Sequence, residues 1–192
     1  MLAEEFGVNR HAVREALKRL EQAGLIRITH GGATRVLDWR DSGGLEVLLD
    51  LASDPVDPPA DLARSVLEMR ASIGIDAARL CAGRASEAER GEIAELGELA
   101  AGLVGSGRDE QLDEAFAGFW LAIVAGSGNI AYRLALNSLL AAMLGFGELA
   151  DRIRPDDKAI IQRLGQAISS GDPEAAAEVA TGMLRADIER AT

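Results

Sequence analysis

A short run of residues near the start of the chain has side chains suited to reading the edges of DNA bases. Asn9, Arg10, His11 and Ala12 are consecutive, and Arg14 follows one helical turn after Arg10. Arginine can donate two hydrogen bonds to O6 and N7 of guanine, and asparagine can pair similarly with adenine. These residues are therefore predicted to contact base edges. By composition alone, an ordinary solvated helix would carry the same arginines, so that alternative stays open here.

The elements around this run predict two short helices separated by a tight turn. Gly7 ends a first helical segment, and Asn9 is a suitable N-cap for a second helix that extends to about Ala23. Apolar residues recur at helical spacing in the second helix, so we expect one of its faces to be buried. That face comprises Val13, Ala16, Leu17 and Leu20.

A β-hairpin is predicted after the second helix, because the β-rich runs LIRI and TRVL flank the glycine-containing THGGA. His30 and Gly31 would lie at its tip, where the backbone could approach the minor groove. Arg35 flanks the hairpin and could contact phosphate. Two helices followed by a hairpin are the order of a winged helix-turn-helix, so residues 1–38 are predicted to form a DNA-binding domain.

Charge and composition separate this head from the rest of the chain. The 192 residues carry a net charge of −11, yet residues 1–37 carry +2, so the remainder carries −13. A single cysteine, Cys81, excludes an internal disulfide and fits a reducing cytoplasm. The sequence shows neither a long uninterrupted apolar run nor a signal peptide, so we expect a cytoplasmic protein that does not bind membranes.

The rest of the chain is rich in alanine and leucine and predicts an all-α body. Residues 39–60 are interpreted as a linker that contains a short helix near 44–52, and residues 61–192 as a helical bundle to which that helix belongs. Helix-stop signals divide the bundle into segments 61–83, 86–104, 109–126, 129–150, 156–170 and 173–190. The predicted fold is mainly α: a winged helix-turn-helix followed by an antiparallel bundle of about seven helices.

The segment GVNRHAVREALKRLEQAGLIRITHGG resembles the GntR family of bacterial regulators, in which a similar G-V-S/T-R-x-x-V-R-E-A-L run precedes a glycine-containing wing. The resemblance implies that Asn9, Arg10, His11 and Arg14 correspond to operator-contacting positions. In the family, a further helix and a Leu-Pro-Ser/Ala-Glu-Arg segment precede the part of the domain at which this sequence begins. We therefore expect the head to be an incomplete winged helix that lacks its first helix.

The body resembles the FCD domain of the FadR branch of that family, a bundle that binds a small effector. The matching segments are LARSVLEMRASIGIDAARLCA, in which Gly74 stands where the family usually has Glu, GFWLAIVAGSGN and AISSGDPEAAAEV. Most members hold a divalent metal with one Asp and three His. Those positions fall on Phe116, Trp120, near Ile161, and near Met183 or Asp187, and both histidines of the chain lie in the head. We therefore expect no metal site and no cofactor.

Two alternatives remain for the place of the missing metal: a cavity filled by core side chains, or an open apolar cavity for a hydrophobic effector. The resemblance to FadR makes an acyl-CoA or another hydrophobic acid the natural effector class. Polar residues that could orient its headgroup include Gln162. The predicted effector-binding residues are Arg70, Phe116, Trp120, Tyr132, Arg133, Asn137, Ile161 and Met183.

The leading hypothesis is a DNA-binding transcriptional regulator controlled by an effector bound without metal. The resemblance implies a homodimer on a palindromic operator. The alternative is an effector-binding and dimerisation module with a non-functional DNA-binding head. The body contains no histidine, which excludes a Ser-His or Cys-His catalytic unit there, and we expect no enzymatic activity.

Overall fold

The computed structural model describes residues 2–29, 32–52, 61–145 and 148–191. Helices dominate these ranges, with one small two-stranded sheet. None of the helices in these ranges is long and apolar enough to cross a membrane.

The head contains two helices and a hairpin in the predicted order. They are α1 (Leu2–Glu5), α2 (Arg10–Gln22), β1 (Ile26–Arg27) and β2 (Arg35–Val36). Gly7 separates the two helices with a φ of 64°, a left-handed conformation that favours glycine. The strands are antiparallel, with Ile26 opposite Val36. The predicted N-cap is confirmed, since the Asn9 side chain accepts a hydrogen bond from the backbone N–H of Ala12.

The predicted burial of one face of α2 is wrong. Val13 and Leu17 are only half-buried, Ala16 is exposed, and Leu20 is 39% exposed. Helix α1 has only four residues, and none of them is buried. The described elements therefore place too little structure across α2 to cover its apolar side, and Ala16 and Leu20 of this side line an open groove.

The segment interpreted as a linker contains two described helices rather than one, α3 (Trp39–Ser42) and α4 (Glu46–Ala52). Asp38 caps the unexpected helix α3 by accepting from the N–H of Arg40. Ser42 at its other end donates to the Gly24 carbonyl at 2.7 Å, which fastens α3 to the head. A Cβ on Gly24 would lie 2.1 Å from the Ser42 carbonyl oxygen, so this contact requires glycine. Residues 53–60, which complete the segment, lie outside the described ranges.

The body consists of helices that agree with the predicted stops, with one difference. They are α5 (Leu62–Arg84), α6 (Glu87–Leu103), α7 (Asp109–Gly126), α8 (Ile130–Gly145), α9 (Glu148–Arg152), α10 (Lys158–Ser169) and α11 (Pro173–Ala191). The single helix predicted over 129–150 is described as α8 and α9, on either side of residues 146–147. Glycines with positive φ follow the C-caps of α6, α7 and α10, at Gly105, Gly128 and Gly171.

The bundle is built around α5, which packs against α11, α7 and α8. Arg70 near the start of α5 contacts Asp187 near the end of α11, and Gly83 near the end of α5 faces Pro173 at the start of α11. These pairs show that the two helices are antiparallel. Small residues of α5 that are fully buried, including Ala77, Ala78 and Cys81, permit this close packing. The mainly α fold and the helical bundle are therefore confirmed.

Candidate nucleic-acid interface and ligand cavity

The start of α2 presents the predicted base-reading residues to solvent. Arg10, His11, Ala12 and Arg14 are all exposed in the first turns of α2. Asn9 is also exposed, but its side-chain oxygen accepts from Ala12 N at 2.8 Å. This cap occupies one lone pair of that oxygen and leaves the amide NH2 group as the free donor. The exposed start of a helix that carries two arginines is an arrangement that can enter a major groove.

The hairpin is held against the recognition helix by a side chain of that helix. Glu21 of α2 accepts a hydrogen bond at 2.8 Å from the backbone N–H of Ile28, just after β1. Ile26 of β1 is buried, while Arg35 of β2 is exposed as a phosphate contact requires. The predicted tip residues His30 and Gly31 lie outside the described residues. Helix α2 and the two strands therefore present their exposed arginines from one connected unit.

A cavity of about 160 Å³ lies in the bundle among α5, α7, α8 and α11. Three of the predicted effector-binding residues line it: Arg70, Phe116 and Trp120. Most of the remaining wall is aliphatic. Its apolar residues beyond the predicted set are Ile73, Gly74, Ala117, Val124, Leu136, Leu139, Leu140, Met143, Ile153, Pro155 and Leu184. The presence of this cavity favours the open alternative over a core filled completely by side chains.

The other predicted effector residues are not among those that line this cavity. Met183 lines a neighbouring cavity whose wall also includes Phe116. Ile161 is fully buried in the core. Tyr132 donates to Asp76 at 2.9 Å.

Arg133 and Asn137 of α8 also lie away from the cavity lining. Arg133 donates to a backbone carbonyl of α7 at 3.3 Å, and Asn137 is exposed. The phase of α8 explains this, because Leu136, Leu139 and Leu140 are the residues that face the cavity. Gln162 of α10 is likewise occupied elsewhere, since it donates to Glu98 at 2.8 Å.

A charge network extends from Arg70 in the cavity wall to the end of α11. Arg70 is 8% exposed and donates to Oδ2 of Asp187, which is 2% exposed, at 2.5 Å. The other oxygen of Asp187 accepts from Arg190 at 2.6 Å, and Arg190 also donates to the exposed Asp156. Burial lowers the pKa of Arg190, but its hydrogen bonds to Asp187 and Asp156 outweigh that effect and raise the pKa overall. One buried carboxylate therefore serves two guanidinium groups.

The indole of Trp120 forms part of the wall because α5 has a glycine opposite it. A Cβ on Gly74 would lie 3.3 Å from Cζ3 of Trp120 and 2.6 Å from Cδ1 of Leu184. The unusual glycine at this position thus leaves room for the large ring. The Nε1 atom of Trp120 is buried and has no hydrogen-bond partner among the described residues. A buried N–H without an acceptor costs free energy, and an acceptor placed within reach of this atom would recover that cost.

A second charge cluster borders the cavity and is more open to solvent. Arg154 lines the cavity and pairs with Asp113 through two hydrogen bonds of 2.9 Å. Asp151 and Asp109 also pair with it, at 2.8 and 3.5 Å. The hydrogen bond with Asp113 is the main cause that raises the pKa of Arg154. This cluster therefore has three carboxylates around one cation, and all three are substantially exposed.

The family's metal positions do not fit a metal in this chain. Phe116, Trp120, Ile161 and Met183 offer neither an oxygen nor an imidazole nitrogen, and these four side chains are buried. Asp187 is committed to two arginines. Across the described ranges, no three His, Cys, Asp or Glu side chains come together as a possible metal site. The wall of the cavity therefore consists of aliphatic side chains, two aromatic rings, the arginines Arg70 and Arg154, and Asp113.

Sequence reasoning missed several residues that shape this cavity. Asp187 was considered only as a metal position, although its role in the structure is to hold Arg70. Arg154 and Asp113 pair across 41 residues, and sequence spacing carries no signal of that contact. The signal that existed was Gly74, because a glycine inside a long helix often marks close packing by a large neighbour.

Models of two protein families match the chain. The model described as "Bacterial regulatory proteins, gntR family" matches residues 1–36. The model described as "FCD domain" matches residues 65–186. The matches fall on the head and on the bundle that contains the cavity.

Individual proteins are similar over much of the chain. The HTH-type transcriptional regulator Mce2R of Mycobacterium tuberculosis is 35% identical over 190 residues, which cover 95% of this chain and 76% of that protein. The fatty acid metabolism regulator protein of Vibrio vulnificus is 35% identical over 72 residues, 38% of this chain and 26% of that protein. Among solved structures, Streptococcus agalactiae GntR superposes with a TM-score of 0.61 at 19% identity, over 98% of this chain and 85% of that one.

Proposed function

This chain belongs to the GntR family of bacterial regulatory proteins and is a transcriptional regulator of its FadR branch. On that basis we propose that it binds operator DNA through α2 and the hairpin. We also propose that it binds an effector in the bundle cavity without a metal. The family is one of non-enzymatic regulators, which confirms the expectation that the chain is not an enzyme. The proposed site of action is the cytoplasm.

The observation that carries the DNA-binding half is the exposed start of α2. Arg10 and Arg14 project from its first turns, and Arg35 is exposed on the adjoining hairpin. We assign Asn9, Arg10, His11, Ala12 and Arg14 to base edges. His30, Gly31 and Arg35 are assigned to the wing. Two such heads in a homodimer would place their recognition helices about one DNA turn apart on a palindromic operator.

The observation that carries the effector half is the cavity in the bundle, whose wall includes an indole N–H that has no acceptor among the described residues. Arg70, Phe116 and Trp120 are the proposed contacts within it, and Met183 belongs to the adjacent cavity. Tyr132, Arg133, Asn137 and Ile161, which were also predicted, are proposed to support the helices rather than to touch the ligand. An effector changes DNA binding only if it prefers one arrangement of the two heads over another. Relatives named fatty acid metabolism regulators make a hydrophobic acid a reasonable effector.

A DNA-binding experiment tests the first half. Fluorescence anisotropy with DNA from beside the chain's own gene should show specific, salt-sensitive binding. Arg10→Ala and Arg14→Ala should each weaken it by about 1–3 kcal/mol and reduce discrimination against altered sites. Arg64→Ala is the matched control, because Arg64 is an exposed arginine of the body. Unchanged affinity and discrimination in both head variants would contradict the assignment of α2.

One observation favours the alternative of a binding module whose head does not read DNA. The apolar side of α2 is open, and Phe6 and Leu20 are 67% and 39% exposed. A head with so little buried surface has little to hold its helices in place. Under this alternative the protein would bind effector while showing no preference for operator over unrelated DNA, and the same anisotropy experiment separates the two proposals.

A further inference from the structure

One short segment of the cavity wall is not helical. Residues of α5, α7, α8 and α11 form most of the wall, but Ile153, Arg154 and Pro155 come from the connection between α9 and α10. Helices in a close-packed bundle resist displacement. Arg154, Pro155 and Asp156 form no backbone hydrogen bonds with other described residues. This strap, residues 154–156, is therefore held against the bundle by its side chains.

The residues on either side of the strap are fixed. Ile153, which precedes it, is 6% exposed and belongs to a hydrophobic cluster with Ile73 and Leu139. Asp157, which follows it, caps α10 by accepting a hydrogen bond of 2.8 Å from the backbone N–H of Ala159. The strap can therefore move while both of its neighbours in the chain keep their places.

Two ion pairs tie the strap to different helices of the bundle. Arg154 donates two hydrogen bonds of 2.9 Å to the carboxylate of Asp113 on α7. Asp156 accepts a hydrogen bond of 2.8 Å from Arg190 on α11. Both helices also line the cavity. The two pairs therefore hold the strap in its place in the wall.

Each ion pair can break without leaving a buried charge alone. The side chain of Asp156 is 79% exposed, so water would hydrate it, and Arg190 would keep its hydrogen bond of 2.6 Å to Asp187. Arg154 would keep Asp151 of α9 as a partner at 2.8 Å. Pairs of this exposed kind contribute little to stability. Opening the wall at the strap therefore costs less free energy than separating two packed helices.

The strap adjoins the boundary between the effector cavity and the neighbouring cavity. Phe116, Ile153 and Pro155 line both cavities. The neighbouring cavity is also lined by Asp156 and Asp157, which are exposed, so solvent reaches it. Most of the residues that line the effector cavity are buried. A ligand that arrives through the neighbouring cavity must therefore pass Pro155 of the strap.

We propose that the strap is the gate of the effector cavity. Ligand enters between Phe116 and Pro155 when the two ion pairs break, and the gate closes when the pairs form again. This proposal rests on the proposed effector site and adds how access to that site is controlled. The pairs are formed in the closed state with and without ligand, so weakening them destabilises both states equally. The ion pairs therefore set the rates of ligand entry and exit and leave the affinity almost unchanged.

Exchange of fluorobenzene, followed by fluorine NMR on the full chain, tests the gate. A cavity of about 150 Å³ in another protein binds benzene, and this cavity has a volume of about 160 Å³. The free and bound signals give both the Kd and the dissociation rate constant. The chain has two tryptophans, so Overhauser effects from fluorine to the indole protons of Trp120 are measured in the Trp39→Phe background. They locate the bound probe in the cavity.

Removing the ion pairs should speed the exchange. Asp156 does not line the effector cavity, and Asp156→Asn should raise both rate constants roughly two- to five-fold while the Kd changes less than about two-fold. The double variant Asp113→Asn/Asp156→Asn should raise the dissociation rate constant roughly ten-fold. Glu68→Gln, which removes an exposed ion pair with Arg64, is the matched control and should leave the rates unchanged.

Salt gives an independent measurement, because the probe is neutral and the strap is held by charges. Raising the NaCl concentration from about 0.05 to about 0.5 M should speed exchange in the unaltered chain, because screening weakens exposed ion pairs. The double variant should respond much less. Rate constants that neither the variants nor salt change would overturn the gate. A changed Kd with an unchanged dissociation rate constant would also overturn it.

The failure of the gate can be told apart from the failure of the proposed function. Fluorobenzene that contacts Trp120 but exchanges at rates independent of the ion pairs overturns the gate and leaves the effector cavity intact. Fluorobenzene that makes no contact with Trp120 overturns the gate together with the effector half of the proposed function. Operator binding is measured separately by anisotropy, so neither result decides the DNA-binding half.

Discussion

Replacing Arg70 with methionine would leave the Asp187 carboxylate in the bundle interior with Arg190 as its remaining arginine partner. The Arg70 and Asp187 side chains are 9% and 3% exposed, so water cannot readily replace the lost guanidinium. Methionine has a similar length and adds no polar group. The variant therefore isolates the loss of a charged partner within a helix contact that is otherwise retained.

The size of the effect follows from the burial of this pair. Removing one partner of a buried ion pair costs about 3–5 kcal/mol. Arg190 still donates to Asp187 at 2.6 Å, so we expect Arg70→Met to lie near the lower end, at about 3 kcal/mol. Replacing both groups, as Arg70→Met/Asp187→Leu, leaves no buried unpaired charge in this pair. The double variant should therefore cost only about 1 kcal/mol, less than either single variant.

Urea denaturation followed by far-ultraviolet circular dichroism measures these differences. The exposed pair of Arg64 and Glu68, whose side chains are 56% and 53% exposed, supplies the control. Arg64→Met should change the free energy of unfolding by less than about 0.5 kcal/mol. A double variant as unstable as the sum of its single variants would refute the reasoning, because the two side chains would then act independently.

Three further predictions concern local features of the bundle. Ser86→Ala removes the capping box that Ser86 forms with Glu89 and should lower the free energy of unfolding by about 1 kcal/mol in the same denaturation assay. Gly126→Ala would place a Cβ 2.7 Å from Sγ of Cys81 and should lower the free energy of unfolding by about 1–3 kcal/mol. A Cβ at Gly118 would have nothing within 4 Å, so Gly118→Ala should raise the free energy of unfolding by about 0.5–1 kcal/mol. Equal effects of the two variants would contradict the packing argument. Burial raises the pKa of the Cys81 thiol from 9.0 to about 11, so a disulfide reagent should react far more slowly with the folded chain than with the unfolded chain. The free energy of unfolding should also fall as the pH rises from 9.0 towards 11, because in that range the thiol ionises mainly in the unfolded chain.

Much of the fold could be predicted because its signals are local. Asn9 caps α2 as expected, and the glycine stops at Gly128 and Gly171 end their helices. The short helix α3 was missed because its cap, Asp38, lies in a stretch that reads as linker. The burial predicted for the apolar side of α2 failed because periodicity shows which face is apolar and cannot show what packs against it.

The candidate cavity was predicted less completely than the fold. Arg70, Phe116 and Trp120 line it, whereas Asn137 is on the exposed side of α8. The position of a residue relative to a motif places it on a helix to within a residue or two, and one residue of error rotates a side chain by about 100° around the helix. Roles in ligand binding and DNA contact stay predictions for every residue of the site.

The sequence by itself determined most of the helices of the bundle, where most of them end, and which family the head and body resemble. These properties depend on caps, glycine stops and motif order, which act over a few residues along the chain. The tertiary structure alone decided that Arg70 meets Asp187 117 residues away, and that Gly74 leaves room for the Trp120 ring. Those contacts depend on how helices pack side by side, so no local pattern in the chain encodes them.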